Sequence, residues 1–329
     1  MNCVHCRGGS ERGPYPGELS PSKCLDILDQ IREVGKPIVI LTGGEPVLRE
    51  DIFELAERGT RIGLRMVMAT NGTLLTPALV GKIRESGIKR VSVSIDGGDE
   101  DSHDRFRMVP GAFKRAIEGI RLLKKGGVEF QVNTTITRHN RDNVKDILNM
   151  AVELGAVAHH IFLLVPTGRA RKMVNQEIDA LEYEKLLHWF YEMREEVPLQ
   201  LKATCAPHYY RILRQEAHAR GEKVDFKTYG LDAVTRGCLG GTAFCFVSHD
   251  GIVQPCGYLE LNCGDLKESD FASIWRSSEI FSRLRDFSGY KGKCGRCEYL
   301  RVCGGCRARA YEATGDFLAE EPLCAYQPG

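Results

Sequence analysis

The sequence predicts an α/β chain in two parts: a partial barrel of parallel strands and helices, then a small cysteine-rich domain. Three observations carry this. Short apolar runs alternate with longer amphipathic ones over the first two-thirds, which implies a parallel sheet with right-handed crossovers. Turn motifs follow successive strands: Gly43-Gly44-Glu45-Pro46 the first, Asn71-Gly72 the second, Asp96-Gly97 the third. Eight cysteines (Cys238, Cys245, Cys256, Cys294, Cys297, Cys303, Cys306 and Cys324) crowd the last third.

Residues 37–41 read as a buried strand, and so do 65–69, 90–95, 129–136 and 160–165. Residues 22–34 place Leu25, Leu28 and Ile31 on one helical face. Residues 111–126 do the same with Phe113, Ala116, Ile117, Ile120 and Leu123. A further helical pattern covers 178–197, with Leu181, Leu186, Trp189 and Phe190. Gly35, Gly63, Gly87, Gly127 and Gly155 stand where helices close. The expected domains are 1–200, the partial barrel; 201–237, a connector of unassigned structure; and 238–329, a domain held by metal more than by a large core. Open α/β sheets and parallel barrels place their chemistry at the carboxyl ends of the strands, where the three turn motifs fall.

The chain has 329 residues, 13 cysteines and a formal net charge of +1. That balance gives no field to draw it to nucleic acid or an acidic membrane. It has no apolar run of spanning length and no secretory signal pattern. A cytoplasmic protein is expected, and there thiols stay reduced. Cys-x2-Cys pairs then read as metal or redox sites, and an odd cysteine count fits a disulfide lattice poorly.

Cys294-x2-Cys297-x5-Cys303-x2-Cys306 taken alone fits a structural zinc ribbon. Cys238, Cys245 and Cys256 precede it and Cys324 follows, enough thiolates for two four-thiolate centres. With Gly251 five residues before Cys256, the arrangement resembles the SPASM domain of radical S-adenosylmethionine (SAM) enzymes. The resemblance implies auxiliary [4Fe-4S] clusters. By the family's pattern Cys294, Cys297, Cys303 and Cys324 hold one, and Cys238, Cys256 and Cys306 the other, with Cys245 as candidate fourth ligand. The family's pattern has three residues where this chain has two between Cys303 and Cys306, so the partition and the number of auxiliary clusters, one or two, stay open.

Cys3-Val4-His5-Cys6 opens the chain. Radical SAM enzymes carry Cys-x3-Cys-x2-Cys after their first barrel strand, and Cys3 and Cys6 match its last two cysteines. The resemblance implies an N-terminally truncated chain, a partial (β/α)6 radical SAM barrel lacking its first strand, with little SAM cleavage by this polypeptide as written. Gly43, Gly44 and Glu45 match the family's GGEP motif. There the glycines let backbone approach SAM and Glu45 accepts from its ammonium. Asn71, Ser94 and Asp96 match positions at successive strand ends near the cofactor. Arg107 matches the partner of the SAM carboxylate. No single catalytic residue is assigned. Cys24 and Cys263 read as small buried hydrophobes.

Several segments resemble one subfamily, the AdoMet-dependent heme synthases of the siroheme-based route. They are residues 14–20, 164–170, 202–211, 230–238, 302–311 and 319–324. This resemblance implies an oxidative decarboxylase that turns two propionates of iron-coproporphyrin III into vinyls. It also implies an electron donor of flavodoxin or ferredoxin type. Arg169, Lys202, Arg211 and Arg236 are candidates for the propionates, and Cys205 and His208 for the substrate iron. Three alternatives stand beside it: a tetrapyrrole-modifying relative of the heme d1 route, a SPASM peptide or sulfatase maturase, and a zinc-ribbon binding protein.

Overall fold

A computed structural model of the chain describes residues 1–329 except Asn2, Arg12 and Pro14. Of the segment 14–20, only Pro14 thereby lies outside the described residues. Six parallel strands form one curled sheet: β1 (Ile38–Leu41), β2 (Arg65–Thr70), β3 (Val91–Ser94), β4 (Phe130–Ile136), β5 (Ala158–Leu163) and β6 (Gln200–Thr204). They lie in sequence order, so each strand pairs with the next one along the chain. Helices cross between them: α1 (Pro21–Val34) before β1, then α2 (Ile52–Arg61), α3 (Pro77–Glu85), α4 (Glu100–Arg107), α5 (Ala112–Lys125), α6 (Val144–Leu154) and α7 (Ala180–Glu196). After β6 comes α8 (His208–Ala219). Local chemistry sets the starts: Ser20 caps α1 ahead of Pro21, and Asp99 and Asp179 form capping boxes with Ser102 and Glu182.

Three expectations change. Residues 201–237, read as a connector, contain most of β6 and all of α8, and β6 pairs Ala158↔Gln200 through Phe162↔Thr204 with β5. The sheet therefore runs past residue 200. β6 is an edge strand with one buried face, and Leu201 and Ala203 alone are too few apolar positions to announce it. The first strand is not buried throughout: Ile38 and Ile40, which share one face of the sheet, are 59% and 46% exposed. Gly35 closes α1 in extended backbone, whereas Gly63, Gly87, Gly127 and Gly155 adopt the left-handed region.

The last third folds back on the first helix. A small antiparallel sheet, β7 (Phe246–Val247), β8 (Ile252–Gln254) and β9 (Gly264–Asp265), builds an apolar cluster of Val253, Cys263, Leu266, Phe271, Ile274 and Phe281. Leu19 and Ile27, with Cys24 and Ile31, complete that cluster from the N-terminal side. Leu19 N–H donates to His249 O at 2.8 Å, and Phe271 N–H to Gln30 Oε1 at 2.8 Å.

Buried histidines make the fold acid-sensitive. Burial holds His103 down to about 3 and His159 down to about 4, so both stay neutral when folded. His103 Nδ1 accepts from the Asp96 N–H at 3.1 Å, and His159 Nε2 shares a 2.9 Å hydrogen bond with Thr134 Oγ1. Their unfolded counterparts bind protons near their ordinary value, 6.5. Between that value and the lowered ones the unfolded chain binds more protons, so stability falls as pH falls. Denaturant titrations at about pH 7 and about pH 5 will give a lower midpoint at the acid end, and His159→Gln will shrink the difference.

Candidate functional site

The carboxyl ends of β1, β2 and β3 converge under the N-terminal loop. Glu45 follows β1 and is half-buried. Its carboxylate accepts from Thr70 Oγ1 at 2.6 Å and from the Asn71 N–H at 2.9 Å, tying the β1 turn to the end of β2. Burial pushes Glu45 above the usual carboxylate range, and those hydrogen bonds offset only part of it. A desolvated carboxylate in this position suits a cationic partner such as an ammonium. Asn71 Oδ1 accepts from Thr73 N–H at 2.8 Å, a local turn. Gly43 has φ +154, and a Cβ on Gly44 would lie 3.2 Å from Ser10 Cβ, so the glycine pair lets the loop settle on the strand end.

At the end of β3, Asp96 is fully buried. Its Oδ1 accepts from Thr135 N–H at 2.7 Å, and it forms an ion pair with Arg107. Burial raises the Asp96 carboxyl, with the Arg107 charge pulling the other way. Arg107 also points Nη1 at Cys3 Sγ, 3.7 Å away. The residue expected at the SAM carboxylate is therefore joined to Asp96 and Cys3 in this structure. Ser94 ends β3 opposite Asn133 of β4. Burial works against the Cys6 thiolate, yet hydrogen bonds from Ser10 and Gly8, with the Arg169 charge, hold its thiol below the ordinary value. A lowered thiol suits a metal ligand.

Arg169 belongs to this loop. It donates from Nε to Cys3 O at 2.9 Å and from Nη1 to Ser10 O at 3.0 Å, and its own N–H donates to Cys6 O at 3.0 Å. A candidate for a propionate, it spends its donors here on the cysteine loop. Gly168, at φ +55, lets that loop pass: a Cβ there would meet Arg7 O at 2.0 Å.

In the C-terminal part, Cys294, Cys297, Cys303 and Cys324 line one pocket together with His208, Arg211, Lys293 and Glu321. Among the described residues no three His, Cys, Asp or Glu donors converge as ligands of a single metal ion do. Four thiols line this pocket, the number a four-iron cluster takes, one on each iron. Arg307 Nη2 points at Cys294 Sγ at 3.6 Å, and Glu321 N–H donates to the same sulfur at 3.4 Å. Such donors steady a thiolate.

The remaining substrate candidates are placed as follows. His208 starts α8, is fully buried and has no partner on either ring nitrogen; burial holds it neutral, down to about 3. It faces the four-cysteine pocket. Arg211 donates from Nη2 to Glu184 Oε1 at 2.6 Å and lies over Tyr326, 4.8 Å from the ring centroid, so its charge is already paired. Lys202 sits in β6 beside His160. Arg236 lies over Phe287 at 4.4 Å, against Gly304.

Arg309 and Glu321 were not singled out as site residues from the sequence. Both are about 1% exposed or less. Arg309 Nη1 donates to both Glu321 oxygens at 3.2 Å, and Nη2 to Leu164 O at 3.0 Å and Cys205 O at 3.1 Å. Glu321 Oε2 accepts from Cys306 N–H at 2.6 Å. One guanidinium thus joins the ends of β5 and β6 to the cysteine domain. The only sequence signal is Arg307-Ala308-Arg309-Ala310, which puts two arginines on one helical turn without naming their partners.

A strand-end carboxylate cradle beside two cysteines, with a polycysteine domain attached, is the anatomy of an enzyme that joins SAM to iron–sulfur chemistry. The profile of the Radical SAM superfamily matches residues 1–154, and that of an iron–sulfur cluster-binding domain, SPASM, matches 238–307. The fold is that of solved relatives: Streptococcus suis SuiB bound to S-adenosylmethionine superposes with TM-score 0.77 at 17% identity, covering 99% of this chain and 74% of that one. An AdoMet-dependent heme synthase of Methanosarcina barkeri is 54% identical over 329 residues, all of this chain and 94% of the relative. One of Nitratidesulfovibrio vulgaris is 55% identical over 328 residues, 100% of this chain and 89% of the relative. The chain belongs to the AdoMet-dependent heme synthase family of radical SAM enzymes. Its cofactors are [4Fe-4S] clusters and SAM. No helix among the described residues is long and apolar enough to cross a membrane.

Proposed function

We propose that the chain decarboxylates iron-coproporphyrin III oxidatively to protoheme, in the cytoplasm, with electrons from a flavodoxin or ferredoxin type donor. Each of two propionates gives up a hydrogen atom, carbon dioxide and one electron and becomes a vinyl. The observation that carries the reading is the 54% identity over 329 residues to an AdoMet-dependent heme synthase. When bound, SAM and the clusters supply an adenosyl radical at one end of the molecule and a one-electron acceptor at the other.

The chain's own residues do the rest. Cys3 and Cys6 supply thiolates at the barrel mouth, and Arg169 holds their loop through Cys3 O and Ser10 O. Glu45 accepts from the SAM ammonium, fixed by Thr70 and Asn71. Asp96 and Ser94 face the ribose and methionyl parts, and Asp96 positions Arg107. Cys294, Cys297, Cys303 and Cys324 hold one auxiliary cluster in their shared pocket. Lys202, on the last strand of the sheet, and Arg236 remain the candidate partners for the propionates.

The test is an anaerobic incubation of the reconstituted chain, carrying the complete Cys-x3-Cys-x2-Cys motif, with SAM, dithionite and either iron-coproporphyrin III or a siroheme derivative. Mass spectrometry is expected to show two carbon dioxide losses from the first and none from the second. Turnover of the siroheme derivative alone would move the chain to the heme d1 type of chemistry.

A further inference from the structure

The cysteine domain holds a second group of thiols, and the hairpin β7–β8 bears on which of them can share a centre. Phe246 pairs with Gln254 and Val247 with Val253, antiparallel. Residues paired across a hairpin point to the same face, and the face alternates at each step. Cys245 is two residues before Val247 and shares its face. Cys256 lies beyond the end of β8, past a bend at Pro255, where it bridges to Leu259. The packing separates the two thiols: Cys245 joins Val247, Val253 and Cys263 in one apolar cluster, whereas Cys256 joins Cys205 and Cys306 in another.

Cys238 approaches the second group through its neighbour. A Cβ on Gly237 would lie 2.4 Å from Pro207 Cβ, two residues beyond Cys205, and Cys238 N–H donates to Cys303 O at 3.1 Å.

The backbone at Cys205 adds an independent sign. It has φ +54, one of two non-glycine residues with positive φ among those described. That conformation is unfavourable for a residue with a Cβ. It is held by two donors to one carbonyl: Arg309 Nη2 at 3.1 Å and Tyr183 Oη at 3.1 Å. A strained turn fixed this firmly aims a side chain, and here it aims a thiol from the sheet into the cysteine domain.

We propose that Cys205, and not Cys245, is the fourth thiolate of the centre formed by Cys238, Cys256 and Cys306. The residue just beyond β6 then ties the strand scaffold to the C-terminal cluster, and Cys205 is not a ligand of the substrate iron. The proposal rests on the reading in which the domain carries two auxiliary clusters. Its test compares the full chain with Cys205→Gly, Cys205→Ser, Cys245→Ala and Cys256→Ala after anaerobic reconstitution. Glycine tolerates the positive φ, and serine keeps the size if the glycine variant does not fold. Iron, acid-labile sulfide and low-temperature paramagnetic resonance of the reduced clusters are read. Cys245→Ala is expected to match the parent. Both Cys205 variants and Cys256→Ala are expected to change the same resonance signal, with up to about four irons lost per chain. Parent-like iron and spectrum in both Cys205 variants, beside a loss in Cys256→Ala, would overturn the assignment alone. Parent-like behaviour in Cys256→Ala as well would remove the second cluster and the proposal with it.

Discussion

Arg309→Ala will destabilise the chain by about 3–5 kcal/mol, because it leaves Glu321 buried without its countercharge. That is a large part of the roughly 5–15 kcal/mol that holds a typical domain. Glu321 is held below the usual carboxylate range: burial opposes ionisation, and the Arg309 charge, with the Cys306 N–H, overcomes it. Three carbonyls lose donors as well, those of Leu163, Leu164 and Cys205. Denaturant unfolding of the metal-free chain measures the loss, which keeps cluster content out of the comparison. The double variant Arg309→Met with Glu321→Gln is expected to recover part of it, since removing both charges costs less than stranding one. Equal stability of Arg309→Ala and the parent would mean that the guanidinium does not carry this junction.

Gly168→Ala will unseat the N-terminal cysteine loop while leaving the sheet intact. The new Cβ meets Arg7 O at 2.0 Å, a backbone atom that cannot turn aside, and the site's φ of +55 already disfavours alanine. The loop carrying Cys3 and Cys6 must move, and with it the hydrogen bonds from Arg169 to Cys3 O and Ser10 O. SAM affinity is expected to fall about tenfold or more, equivalent to about 1.4 kcal/mol. Thermal unfolding should change little, because the buried sheet is untouched. Equilibrium binding of SAM by the reconstituted chain measures the first, and calorimetry the second. Arg169→Lys, which keeps the charge but loses the planar fork, should show a weaker form of the same defect. Unchanged SAM affinity in Gly168→Ala would show that the loop tolerates displacement.

The motifs with local spacing were legible. Glu45 and Asp96 lie just past strands, and a strand's carboxyl end can be located from its apolar run and the turn that follows it. Cys294, Cys297, Cys303 and Cys324 line one pocket, the grouping the SPASM resemblance implies, whereas spacing alone points to Cys306 in place of Cys324. Arg169 was marked in the sequence as a propionate candidate, but its partners here, Cys3 O and Ser10 O, lie about 160 residues away along the chain. β6 escaped because an edge strand of five residues with one buried face offers only two apolar positions.

Cys245 and Cys205 mark the limit most clearly. Counting cysteines favoured Cys245, which lies between two of the expected ligands. In a hairpin one position reverses the face, so proximity in sequence says little about which side a thiol takes.

The amino-acid order alone determined the strand–helix alternation, the carboxylate and glycine turns, and the supply of thiols, because all of these depend on near neighbours. Folding in three dimensions decided which thiols meet, which arginines are already paired, and that α1 and β6 both hold the cysteine domain. Those outcomes depend on register, burial and charge pairing between segments far apart along the chain, and no local pattern encodes them.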